Sequence, residues 1–243
     1  MTTYRLDLAY DGTGFHGYAR QPRVRTVQGV LEEALFKLTG EVETTVAGRT
    51  DKGVHASGQV VSFAAEQALD CARVARSLNR QLAPEIAVGA VAVVAHDFNA
   101  RFSAIGRSYT YLLLNRETPD PFLARTSWHY ETPVDVDLMN HGVAQLVGEH
   151  DFGAFCRKTD NRSAVRRVDT AVWRDRGRGL VSFDVSASSF CHQMVRSMVA
   201  LSVEIGRGRV KPGDVTSILD SKDRNRAKGA APAHGLTLVR VDY

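Results

Sequence analysis

The chain has 243 residues, 44% of them hydrophobic and 24% charged, with a formal net charge of +4. That balance is typical of a globular protein with a sizeable core; it excludes an intrinsically disordered chain and, with no run of 18 apolar residues, a helical membrane protein. A pI near 9.1 suits a polyanionic partner without establishing one.

Met1 to Arg5 run directly into a strand pattern and leave no room for a secretion leader, so the sequence is read as cytoplasmic. Tyr4 to Tyr10 alternate with period two and predict a half-buried strand. Next comes Asp11-Gly12-Thr13-Gly14-Phe15-His16-Gly17-Tyr18. Its three glycines match neither the dinucleotide fingerprint nor the P-loop. Thr26 caps a helix that carries Val27, Val30, Leu31, Ala34, Leu35 and Leu38 at helical spacing and ends at Gly40. Thr44 to Ala47 and Ser57 to Phe63 read as strands, Asp70 caps a helix to about Leu82, and Ile86 to Ala95 returns as a strand. The half follows the order β, α, β, β, α, β, which is ferredoxin-like.

The second half begins with a strand at Arg107 to Leu114. Asp135 caps a helix to about Val147, strands follow at Ala164 to Trp173 and Gly179 to Val185, and a long helix is predicted from Ser189 to Ile205. A short helix after Pro212 and a strand from Leu236 to Tyr243 close the chain. The expectation is an α+β protein of two ferredoxin-like lobes, residues 1–104 and 105–243, with mainly antiparallel sheets joined around a central cleft.

Three stretches concentrate chemistry. Gly48-Arg49-Thr50-Asp51-Lys52-Gly53-Val54-His55-Ala56, between two strands, gathers a carboxylate, a guanidinium, an ammonium, an imidazole and a hydroxyl. An Asp-capped hairpin turn would need far less. Tyr109 and Tyr111 share one face of their strand, and Phe190-Cys191-His192-Gln193-Met194-Val195-Arg196 opens the long helix. Basic residues crowd at Arg20, Arg23 and Arg25, at Arg157, Lys158, Arg162, Arg166 and Arg167, and at Lys222, Arg224, Arg226 and Lys228, and such clusters can bind phosphate. His96-Asp97 and His150-Asp151 lack the further ligands of a metal site and read as structural. Cys71, Cys156 and Cys191 are widely separated and odd in number, and are read as reduced thiols.

GRTDKGVHA resembles the catalytic motif of the TruA-type tRNA pseudouridine synthases. Further similarity follows in order: the glycine-rich stretch with Arg20-Gln21, Arg107-Ser108-Tyr109-Thr110-Tyr111, His192 to Arg196, and Gly235 to Val239. The resemblance implies a pseudouridine synthase fold and an isomerase acting on uridines at positions 38, 39 and 40 of the tRNA anticodon stem-loop. It further implies a homodimer, no cofactor and no metal. It makes Asp51 the catalytic residue and places Tyr109 on the base, Arg196 beside Asp51 and Leu238 beside the ring, although Leu238 reads equally as ordinary core. Base flipping adds the hypothesis that Arg49 fills the gap the flipped base leaves. His55 is read either as a site residue or as a loop hydrogen-bond partner. Tyr18 stands where the family has Trp, Lys52 where it has a small residue, and Cys191 where it is often aromatic or basic. Two other readings stay open: a non-catalytic tRNA-binding protein of the same fold, and a metal-dependent phosphohydrolase using the His-Asp pairs.

Overall fold

The computed structural model describes residues 1–157, 163–227 and 229–243. In chain order the strands and helices are β1 (Thr2–Tyr10), α1 (Val27–Thr39), β2 (Thr45–Val46), β3 (His55–Ala65), α2 (Cys71–Leu82), β4 (Ile86–Val93), β5 (Gly106–Leu114), β6 (Trp128–His129), α3 (Val136–Val143), β7 (Gly148–Asp151), β8 (Val165–Asp175), β9 (Leu180–Ala187), α4 (Met194–Gly206), α5 (Val215–Ser221) and β10 (Leu236–Asp242). Two compact units result, Met1–Ile105 with Thr237–Tyr243, and Gly106–Leu236.

The first unit is a sheet in the order β4-β1-β3-β10, with β2 paired to β3. β1 runs antiparallel to both β3 and β4, and β10 joins β3 in parallel. The period-two face of β1 is buried as its alternation requires: Tyr4, Leu6, Leu8 and Tyr10 all face inward, and Tyr4 stacks on Phe63 at 5.3 Å. Leu31 and Leu35 from α1 and Leu78 from α2 complete that core, each enclosed side chain contributing about 1.5–3 kcal/mol. Both helices begin where the sequence places them, with Thr26 accepting from the Gly29 N–H and Asp70 from the Arg73 N–H.

The second unit carries β5, β9, β8 and β7 in that order, all antiparallel, with β6 beside β5 in parallel. Trp173, Phe183, Tyr111 and Leu113 fill its core with Met198, Leu201 and Ile205 of α4. α3 follows its Asp135 cap, which accepts from the Leu138 N–H. α4 starts at Met194, five residues later than the expected Ser189. Gln193 before it sits at φ 66°, the Arg157 N–H holds the His192 carbonyl at 2.9 Å, and the Met194 N–H turns back to Cys191. These contacts keep 189–193 out of the helix.

The same turn corrects the cysteine reading. Cys156 and Cys191 are joined as a disulfide, their Cα atoms 5.7 Å apart, and Cys71 is the free thiol among the described residues. The segment after β7 passes close along the approach to α4, a proximity that a separation of 35 residues does not disclose.

Candidate active site

The candidate residues divide between the units, Arg49, Asp51 and Leu238 in the first, Tyr109 and Arg196 in the second. Asp51 sits on the loop between β2 and β3, half-buried, with Arg49 and Lys52 exposed on either side and Thr50 buried. That inward-outward alternation is built from beneath.

Gln59, fully buried on β3, reaches back to the loop: its Nε2 donates to the Gly48 carbonyl at 2.7 Å and to the Tyr10 hydroxyl at 3.2 Å. The Tyr10 hydroxyl in turn shares a hydrogen bond with Thr50 Oγ1 at 2.8 Å. A satisfied buried network of this kind holds a loop in one conformation. Burial pushes the Tyr10 phenol up to about 12, against the lowering effect of its bonds to Thr50 and Gln59.

The glycine-rich stretch after β1 forms the other side of the support. A Cβ on Gly12 would lie 2.1 Å from the Val54 carbonyl oxygen, and one on Gly17, whose φ is +94°, would lie 2.9 Å from that of Thr50. Only glycine permits so close an approach of two backbones. The Tyr18 N–H donates to the Thr50 carbonyl at 3.0 Å. The carbonyls of Gly17 and Tyr18 then accept the first N–H groups of α1, from Val27 at 3.2 Å and Gln28 at 2.9 Å. Those helix donors would otherwise be orphaned. A chain of contacts therefore runs from the start of α1 through Gly17 and Tyr18 to the backbone of Asp51.

His55 is buried, its Nδ1 3.0 Å from the Gly12 N–H and 3.1 Å from Asp11 Oδ1. With the proton on Nε2 it accepts from Gly12; with a proton on Nδ1 it donates to Asp11. In either state it ties the loop to the glycine stretch, which is the loop-partner role rather than an exposed site role. Tyr18, in place of the family's Trp, is fully buried and packs 6.2 Å from the Tyr10 ring. Lys52 forms no ion pair among the described residues. Leu238 is fully enclosed, next to Ala56 in the parallel register of β10 and β3.

In the second unit Tyr109 and Tyr111 part company. Tyr111 is core, its hydroxyl donating to the Pro232 carbonyl at 2.9 Å; burial raises its pKa strongly, and the positive charge of Arg196 works against that rise. Tyr109 keeps 8% of its surface and meets the Phe190 ring edge-on at 5.2 Å. Arg196 lies in the first turn of α4, its Nε donating to the Ala231 carbonyl at 2.7 Å.

The basic clusters are partly spent inside the protein. Arg25 makes two bonds to Glu85, Arg20 pairs with Glu32, Arg167 with Asp169, and Lys222 with Asp151 at 2.7 Å. Arg224 bonds Gln193, and Arg226 bonds the Ser217 carbonyl and hydroxyl. Lys158, Arg162 and Lys228 lie outside the described residues. Of the two His-Asp pairs, Asp151 accepts from the Gly153 N–H and Lys222, and the His96 carbonyl accepts from Thr3. Among the described residues no group of three or more His, Cys, Asp or Glu is placed to hold a metal ion, and no helix is long and apolar enough to cross a membrane.

The Tyr10 network makes a pH-dependent prediction. A phenol at 10.0 when unfolded and about 12 when folded gives its full stabilisation below pH 10 and loses it as pH rises through 12. Wild-type stability should therefore fall by about 2–3 kcal/mol more than that of Tyr10→Phe between pH 9.5 and 12. Urea titrations at a series of pH values measure it. Parallel curves for the two proteins would contradict the assignment.

A buried network that fixes the backbone beneath one half-buried carboxylate is an arrangement that suits a catalytic site. The family model described as tRNA pseudouridine synthase matches residues 8–103 and 143–243. A tRNA pseudouridine synthase A of Leifsonia xyli subsp. xyli is 40% identical over 100% of this chain and 92% of its own length. One of Moorella thermoacetica is 42% identical over the full length of both. Among solved structures, a Cbf5-Nop10-Gar1 complex aligns with 82% of this chain and 45% of that one at 14% identity and a TM-score of 0.36, too slight a likeness to add weight. The chain belongs to the tRNA pseudouridine synthase family, and so to the isomerases.

Proposed function

We propose that this enzyme isomerises uridine to pseudouridine at positions 38, 39 and 40 of the tRNA anticodon stem-loop, working in the cytoplasm as a homodimer. The observation that carries the catalytic part is the support beneath Asp51: Gln59, Tyr10, Thr50 and the close-packed glycines fix its backbone while its side chain stays half-open. The target positions and the dimer rest on the family resemblance.

The reaction breaks the bond from uracil N1 to ribose C1′, turns the base, forms a bond from C5 to C1′, releases the C5 proton and leaves N1 protonated. No electrons are gained or lost, so the chemistry asks for a carboxylate and proton handling only. Asp51 either attacks covalently or stabilises positive character at C1′; both paths use the same fixed carboxylate. The family resemblance assigns Arg196 to orienting the catalytic carboxylate. Tyr109 lies against the uracil ring and relays the C5 proton, its hydroxyl accepting that proton as it passes its own to water. The family resemblance assigns Leu238 to the apolar side of the ring; because its side chain is fully enclosed, that contact requires the residues covering it to move. Uridines paired in the stem must first leave the helix at a cost of a few kcal/mol, and exposed Arg49 fills the space they vacate.

The test uses two transcripts, one with its uridine paired at position 39 and one with it unpaired at 38. Arg49→Ala should slow conversion at the paired position about tenfold more than at the unpaired one. Equal slowing removes the gap-filling role, and conversion outside the anticodon stem-loop removes the target assignment.

A further inference from the structure

The turn that ends the first unit carries an exposed aromatic that neither the reaction nor the core uses. Phe102 is 79% exposed. It does not sit on a loose loop. The Asn99 side-chain oxygen accepts from the N–H groups of Arg101 at 3.0 Å and Phe102 at 3.1 Å, and the Ser103 hydroxyl and backbone N–H bond back to Asn99. Ala100 is buried, its N–H donating to the Ser62 hydroxyl at 3.0 Å and its carbonyl accepting from the Tyr243 hydroxyl at 2.8 Å. The turn is thus pinned to β3 and to the C-terminal residue while it directs an apolar ring into water.

Cations and rings alternate around it. The Arg101 guanidinium lies 5.4 Å from the centre of the Phe102 ring. Close to the same turn Phe98 packs on Tyr243 at 4.9 Å, and the Arg5 guanidinium lies 4.9 Å from the centre of the Tyr243 ring. A ring presented from a pinned turn beside a guanidinium matches what single-stranded nucleic acid offers, a flat base next to a phosphate. Preorganisation removes most of the ordering cost such a contact would carry. Ile105, three residues on, is 69% exposed as well; a second copy of the chain is the competing occupant of exposed apolar side chains here, and the guanidinium beside Phe102 favours the base.

We propose that the Arg101-Phe102 turn is an RNA contact in its own right, in which the Phe102 ring stacks on an unpaired base of the bound tRNA and Arg101 meets the neighbouring phosphate. It rests on the reading of tRNA as the substrate. Because the ring is outside the core, its replacement leaves the fold intact.

The experiment compares wild type, Phe102→Leu, Phe102→Trp and the control Phe36→Leu, whose ring is 61% exposed on α1. Each is measured for affinity to an unmodified tRNA transcript at fixed salt, for kcat and KM in uridine conversion, and for oligomeric state. Phe102→Leu should raise Kd and KM about 5- to 100-fold and leave kcat unchanged. Phe102→Trp should bind as tightly as wild type or more tightly, and the control should not change. Wild-type affinity in Phe102→Leu overturns the proposal. So does a loss of affinity that tracks a change of oligomeric state, since the ring would then belong to an interface between copies. If wild type binds tRNA but converts no uridine while Phe102→Leu still weakens binding, the contact stands and the synthase reading falls. If conversion proceeds and Phe102→Leu binds normally, the reverse holds.

Discussion

Asp51→Asn is expected to lower kcat on tRNA by at least about 10³-fold while leaving tRNA affinity within about threefold of wild type. The substitution keeps shape and hydrogen-bonding capacity but removes the charge, so it tests the carboxylate rather than the loop. The loop backbone has anchors besides the Asp51 side chain: Gln59 to Gly48, Tyr10 to Thr50 and Tyr18 to Thr50. A charged group that acts only in the transition state shows itself as lost kcat with KM retained. Single-turnover conversion and a binding isotherm on the same transcript measure the two halves. A modest loss of rate matched by an equal loss of affinity would make Asp51 a binding residue.

Gly12→Ala should cut turnover about 100-fold without touching a reacting group. The new methyl would stand 2.1 Å from the Val54 carbonyl oxygen, and the obstacle is backbone, which no rotamer change relieves. The stretch 11–18 and the loop 48–55 must move apart. That displacement breaks the bond from the Gly12 N–H to His55 and shifts Asp51 against a substrate whose position the rest of the protein sets. Misplacement by about an ångström is enough for an effect of this size. Stability should fall as well, by about 1–3 kcal/mol for an overpacked site. Kinetics well below the midpoint of thermal unfolding separate the two effects, and wild-type turnover there would contradict the bracing role.

How legible this was in the sequence differs from element to element. β1 and the helix starts at Thr26, Asp70 and Asp135 were readable because their determinants are local: alternation in one strand, and a side-chain oxygen three residues before the N–H it caps. The start of α4 was not, because the Arg157 to His192 bond and the contact of Cys156 with Cys191 come from residues 35 positions away. β7 is four residues long and polar, and gives no periodic signal. Nothing within residues 236–242 says that this strand pairs with β3.

At the site the same division holds. The Asp51 loop stood out by its density of polar chemistry and by family resemblance. The function of the glycines before it did not, since Gly12 and Gly17 matter for what passes over them, and Gln59 reads in the sequence as an ordinary strand residue. The internal partners of the basic clusters are hidden for a related reason: Glu85 and Asp151, the acids that pair with Arg25 and Lys222, lie about 60 to 70 residues away along the chain.

The most direct test of the central claim follows the hydrogen that isomerisation must expel. An unmodified tRNA transcript made with uridine tritiated at C5 is incubated with the enzyme, tritium released to water is counted, and the modified positions are mapped. The account predicts one tritium released for each pseudouridine formed, with all of them at positions 38, 39 and 40. Tight binding of the transcript with no release of tritium, under conditions where the protein is folded, would contradict it.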